Sequence, residues 1–145
     1  MLKIKKIDHV AVCVSDIDEA AARWRAVFGL EARERETVAS QKTDVAFLET
    51  AGGPADAQAA SLELCAPAGN QSLERFLDKR GPGLHHICFE VDDLPAALAS
   101  LKSAGVPLID ETPRKGARGH KVAFVHPKAT GGVLVELVEP HAEAH

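Results

Sequence analysis

Gly83-Leu84-His85-His86-Ile87-Cys88-Phe89-Glu90-Val91-Asp92-Asp93 repeats, in altered letters, a line that the chain has already used near its start. With His86 set on His9, Leu84-His85-His86-Ile87-Cys88-Phe89 falls under Ile7-Asp8-His9-Val10-Ala11-Val12 at an offset of 77 (86 − 9). The same offset carries Asp16-Ile17 onto Asp93-Leu94 and Val45-Ala46-Phe47 onto Val122-Ala123-Phe124. It drops to 73 (136 − 63) where Leu62-Glu63-Leu64-Cys65-Ala66-Pro67 meets Val135-Glu136-Leu137-Val138-Glu139-Pro140. The turn-rich stretch between Ala51 and Ala60, shortened in the second copy to Ala129-Thr130-Gly131-Gly132, accounts for the difference. One module is used twice, and each copy carries a His near its start and a Glu near its end.

A chain of 145 residues suits one domain with a sizeable core, here composed of repeat modules 4–67 and 84–140 joined by a helix-containing linker, 68–83. A composition of 46% hydrophobic and 26% charged residues is that of a globular chain and argues against disorder or a fibre. The formal charge of −4 offers no electrostatic footprint for nucleic acid. The apolar runs are strand-length, so no membrane span or signal peptide is expected. Cys13, Cys65 and Cys88 form no CxxC pair and are odd in number, which points to a reducing cytoplasm rather than a disulfide framework.

Read in order, Ile4 to Val14 is Val/Ile-rich and reads as a strand. Ser15 or Asp16 can cap a helix from Ile17 to Phe28, whose apolar Ile17, Ala20, Ala21, Trp24, Val27 and Phe28 form one buried face, with Gly29 as the stop. Leu30 to Ser40 is charged and weakly patterned, whereas Asp44–Glu49 and Ser61–Cys65 read as strands. Ser72 is expected to cap a short helix, Leu73 to Arg80, closed by Gly81-Pro82-Gly83. The second copy runs strand Leu84–Val91, helix Leu94–Ala104, a basic glycine loop Arg114–His120, and strands Lys121–His126 and Gly132–Val138. The tail His141–His145 has nothing to bury and is expected to fray.

Alternate side chains of a strand share a face, so a His or Glu in the middle of an apolar strand points either to solvent or into an enclosed space. Four such residues stand at repeat-equivalent places: His9, Glu63, His86 and Glu136. If the modules pack about a pseudo-twofold axis, two imidazoles and two carboxylates converge. That set suits a divalent ion of the Zn, Mn, Fe, Co or Ni kind, with room for water or a chelating substrate. His85 points to the opposite face and is the less suitable ligand. The cysteines keep the facing of their strands' His or Glu, and as small apolar side chains they need no catalytic role.

Ile-Asp-His-Val-Ala-Val near the start, Gly-Leu-His-His-Ile-Cys-Phe-Glu-Val-Asp-Asp in the middle, and His126-Pro127-Lys128 followed by Gly-Gly-Val-Leu-Val-Glu-Leu-Val-Glu resemble methylmalonyl-CoA epimerase. That family belongs to the vicinal oxygen chelate superfamily, with glyoxalase I and the extradiol dioxygenases. The resemblance runs from Ile7 to Pro140, and Phe76-Leu77-Asp78-Lys79-Arg80-Gly81 is a mark of the epimerase branch. It implies an α+β fold of two tandem βαβββ modules forming a curved mixed sheet around a metal-binding cleft. It also implies a divalent ion (Co, Mn, Ni, Zn or Mg) held by His9, Glu63, His86 and Glu136, an acyl-CoA substrate, and a homodimer. The family often carries Gln at the place of Glu63, so the carboxylate here gives a more glyoxalase-like charge.

The resemblance further implies interconversion of (2R)- and (2S)-methylmalonyl-CoA by proton abstraction, with the ion stabilising enolate charge. Inversion needs an acid and a base on opposite faces of a planar carbon. Glu136 and Glu49 are the expected pair, Glu49 because it is four residues past Val45 and so on the same strand face. Arg114, Arg118 and Lys128 are the expected contacts to the substrate's carboxylate or the phosphates of coenzyme A. Two alternatives remain open: a glyoxalase I-type lactoylglutathione lyase, and a non-catalytic small-molecule-binding protein of the same superfamily.

Overall fold

The computed structural model describes residues 2–50 and 59–141, so most of the turn stretch between Ala51 and Ala60, and the tail beyond His141, lie outside the described residues. The chain divides into two compact units, His9–His85 and a second formed by Met1–Asp8 with His86–His145. The first is built from β1 (Lys6–Cys13), which joins it at His9, then α1 (Ile17–Phe28), β2 (Glu31–Val38), β3 (Thr43–Glu49), β4 (Ser61–Pro67) and α2 (Gln71–Arg80). Its strands lie in the order β2-β3-β4-β1, with β1 parallel to β4 and the other neighbours antiparallel. The second unit uses β5 (Gly83–Glu90), α3 (Leu94–Ser103), β6 (Arg114–Lys115), β7 (Lys121–Val125) and β8 (Val135–Glu139) in the order β5-β8-β7-β6, again with one parallel pair, β5 and β8. The fold is α+β, and each copy follows the order strand, helix, three strands.

Helices α1 and α3 each cover one face of their own unit's strands. In the first unit Val12, Val14, Ala46, Leu48, Leu64 and Ala66 meet Ile17 of α1, with Ala20, Ala21 and Trp24 packed on the cluster. In the second, Ala123, Val125, Val135 and Leu137 meet Leu94, Ala97 and Leu98 of α3. A fully buried Leu such as Leu48, Leu64 or Leu98 contributes about 1.5–3 kcal/mol. Because side chains alternate along a strand, covering these residues leaves His9, Glu63, His86 and Glu136 on the other face of their strands.

Local chemistry sets the helix ends. Asp16 caps α1 by accepting from the Glu19 amide at 3.1 Å, and Gly29 takes the left-handed conformation (φ 71°) that ends it. Val27 and Phe28 do not join the buried face: both are exposed, and Phe28 stacks on Trp24 at 5.7 Å between ring centroids. Asp93 caps α3 through the Ala96 amide at 3.0 Å, and Glu139 of β8 accepts from the Leu94 amide at 2.8 Å. The cap of α2 is Asn70, not Ser72, and the helix starts two residues earlier than expected. Asn70 Oδ1 accepts from the Leu73 amide, while its Nδ2 donates to the Gln41 carbonyl and to Thr43 Oγ1, so one amide side chain serves both the helix and β3.

The charged, weakly patterned stretch from Leu30 to Ser40 holds β2. It is an edge strand, exposed at nearly every position, so no inside-outside alternation marks it in the sequence. A register shift between Arg33 and Glu36, with Glu34 at φ 54°, bends it further. In the basic loop, Gly116 packs its backbone against β7: a Cβ there would lie 2.8 Å from Val122 Cγ1.

Candidate functional site

The first unit holds a buried His–Glu pair. His9 Nε2 lies 3.3 Å from Glu63 Oε2, with both side chains less than a tenth exposed. Parallel pairing of β1 with β4 places Glu63 opposite Ala11, two residues past His9, so the two side chains share a face one step apart. Antiparallel pairing of β3 with β4 then places Phe47 opposite Glu63. The Phe47 ring stands edge-on to the His9 imidazole, 5.9 Å between centroids at 82°.

The second unit repeats the arrangement in every register. His86 Nε2 lies 3.1 Å from Glu136 Oε1, both buried. Glu136 is opposite Cys88, two past His86, on the parallel neighbour, and opposite Phe124 on the antiparallel one. Phe124 meets the His86 imidazole at 5.3 Å and 87°. The adjacent His85 does not take part: it is half-buried and sets its ring edge-on to Phe76 of α2 at 5.0 Å.

Burying a carboxylate is costly unless it is paired, and here each has an imidazole within pairing distance. Imidazole nitrogen and carboxylate oxygen are both good donors for divalent first-row metals, so the donor chemistry of each pair fits such an ion. In unit one the thiols of Cys13 and Cys65 lie side by side on β1 and β4, and a hydrogen bond from the Cys65 side chain holds the Cys13 thiol below its ordinary pKa. All three cysteines are buried thiols outside any disulfide.

The other expected residues are placed less uniformly. Glu49 is half-buried at the end of β3, two residues past Phe47 and so on the face of Glu63, where it pairs with Glu31. Arg114 is held by Asp110, whose Oδ1 lies 3.2 Å from Arg114 Nε and whose Oδ2 accepts from Arg114 Nη2 at 3.3 Å. The same carboxylate accepts from the Phe124 amide at 2.9 Å, and the guanidinium stands 6.0 Å over the Phe124 ring. The structure thus brings Arg114 next to the aromatic neighbour of His86. Arg118 is half-buried in a 3-10 turn with φ 61°, and Lys128 is exposed in a separate turn capped by His126. Asp110, Phe47 and Phe124 were not singled out by sequence; the one signal was the repetition of Phe47 at Phe124. A cavity of about 270 Å³ beside Trp24, Ser15 and Pro82 touches neither pair.

Residues 8–124 match the model of the glyoxalase/bleomycin resistance protein/dioxygenase superfamily. The chain is 37% identical over 138 residues to the mitochondrial methylmalonyl-CoA epimerase of Dictyostelium discoideum, covering 94% of this chain and 79% of that protein. It is 36% identical to methylmalonyl-CoA epimerase from Mycobacterium tuberculosis, whose crystal structure superposes with a TM-score of 0.86 over 99% of this chain and 95% of that one. A Streptomyces coelicolor methylmalonyl-CoA epimerase variant in complex with 2-nitronate-propionyl-CoA gives 32% identity and a TM-score of 0.86 over 97% of each chain. The chain belongs to this superfamily and, within it, to the methylmalonyl-CoA epimerase family.

Proposed function

We propose that this protein is a metal-dependent epimerase that interconverts the (2R) and (2S) forms of methylmalonyl-CoA. The observation that carries the metal reading is the pair of buried His–Glu contacts set by identical strand registers in the two copies. Each pair offers two donors, fewer than a divalent ion takes from a protein site, so His9, Glu63, His86 and Glu136 together are proposed to hold one ion of Co, Mn, Ni, Zn or Mg. When bound, the ion acts as a Lewis acid toward the negative charge that develops as the α-proton leaves.

The chain's own groups move the proton. Glu136 takes it from the α-carbon on one face, and Glu49 delivers one to the other face, each carboxylate acting as base in one direction and acid in the reverse. Arg114, fixed by Asp110, neutralises the substrate's free carboxylate, and Arg118 and Lys128 contact the anionic coenzyme A portion. The apolar residues about each pair exclude water, which strengthens these charge interactions. No helix of the described residues is long and apolar enough to cross a membrane. A cytoplasmic homodimer acting as a single domain is part of the same proposal.

The deciding experiment incubates metal-loaded protein with methylmalonyl-CoA in deuterated water. Exchange at the α-carbon with loss of configuration is expected. No exchange, together with turnover of methylglyoxal and glutathione, would transfer the protein to the lactoylglutathione lyases.

A further inference from the structure

Each His–Glu pair is completed by a phenylalanine at the same place in the repeat. Phe47 is the register partner of Glu63 and Phe124 that of Glu136. Each ring stands nearly perpendicular to the imidazole beside it, at 82° and 87°. The second side-chain torsion of a histidine is broad and roughly two-fold, so the ring plane can rock unless its surroundings hold it. A flat apolar ring set edge-on against the imidazole closes that motion, and phenylalanine brings no polar atom to compete for Nε2.

We propose that Phe47 and Phe124 are positioning residues that fix the imidazole planes of His9 and His86 and so aim Nε2 at the ion; this rests on the metal reading given above. The two rings are held differently. Phe47 is buried within its unit, only 2% exposed. Phe124 is half-buried and is gripped on two sides of its residue, with the Arg114 guanidinium over its ring and Asp110 on its backbone amide. Hydrogen-bonded partners that orient a metal-ligating histidine commonly change metal affinity ten- to a hundred-fold when replaced, which sets the scale expected for a ring that orients it by packing.

The test uses the full chain with Phe47→Leu and Phe124→Leu, which keep an apolar side chain but lose the flat ring. Metal-free protein is titrated with Co(II) against a competing chelator. Affinity is expected to fall about ten-fold or more in each variant, with kcat reduced more than KM is raised. Phe124→Tyr, which restores the ring, should bring affinity back close to wild type. Leu98→Ala, a cavity on the α3 side of the second unit, should lower thermal stability while leaving Co(II) affinity intact. Leucine variants that bind Co(II) as the wild type does, or Leu98→Ala losing as much affinity, would overturn the positioning role. If the wild-type chain itself binds no Co(II), the metal reading falls, and the histidine ring signals of the metal-free protein decide instead. New or broadened imidazole conformers in the leucine variants then support the role, and a single narrow set overturns it.

Discussion

His86 Nε2 meets Glu136 Oε1 at 3.1 Å although the two residues are 50 apart in sequence, and the adjacent His85 turns to Phe76 instead. Strand alternation alone separates their fates. His86→Ala is expected to abolish tight binding of a divalent ion, while His85→Ala changes it no more than a few-fold. Calorimetric titration of both variants with Zn(II) or Co(II) checks this, and the reverse result would put the metal register one residue off.

Glu49 and Glu136 are proposed to act on opposite faces of the reacting carbon. Removing one of two bases separates proton exchange from inversion. Glu49→Gln should slow epimerisation by about 10²–10⁴-fold while leaving metal affinity unchanged and leaving one substrate epimer able to exchange its α-proton with deuterated water. A variant that epimerises at the wild-type rate rules Glu49 out as the second base.

If His9, Glu63, His86 and Glu136 hold an ion as proposed, metal should stabilise the fold, because that set of donors comes together only in the folded state. At a free concentration a hundred times its Kd, the ion contributes about 2.7 kcal/mol. A chelator should therefore lower the melting temperature by several degrees, and added Co(II) or Mn(II) should restore it. Equal melting temperatures with and without ion would contradict this.

The start of α2 offers a test independent of metal. Asn70→Ala removes the acceptor for the Leu73 amide and the donor to Gln41 and Thr43, and should destabilise the protein by about 1–2 kcal/mol. Ser72→Ala should stay within about 0.5 kcal/mol. Urea unfolding of the two variants measures the difference.

Gly116 packs where no side chain fits. Gly116→Ala places a methyl 2.8 Å from Val122 Cγ1 and 2.9 Å from Cγ2, so β7 or the loop must shift. A loss of about 1–3 kcal/mol in thermal or urea unfolding is expected.

The repeat made most of the fold legible. A His in one copy predicted a His in the other, and the expected helix starts at Ile17 and Leu94 are kept by the structure, which caps them with Asp16 and Asp93. What escaped detection had no local pattern. The Glu31–Val38 strand is exposed at nearly every position before Val38, so its letters carry no period. Ser72 looked like a cap, but Asn70 reaches Gln41 and Thr43 as well as the helix, an advantage that exists only once β3 is in place. Phe28 fits the apolar stripe of α1 yet stays exposed, because as the last residue of the helix it lies past the Ile17, Ala20, Ala21 and Trp24 positions that pack on the strands and meets the Trp24 ring.

By itself the sequence determined which residues could do chemistry and which face of its strand each would share, since strand parity and the repeat offset are properties of the letters. Only the tertiary structure decided who stands opposite whom. Glu63 opposite Ala11 and Phe47, and Glu136 opposite Cys88 and Phe124, are register facts between segments distant in the chain. No periodicity encodes that register; it is fixed when the buried faces of the strands are packed beneath their helices.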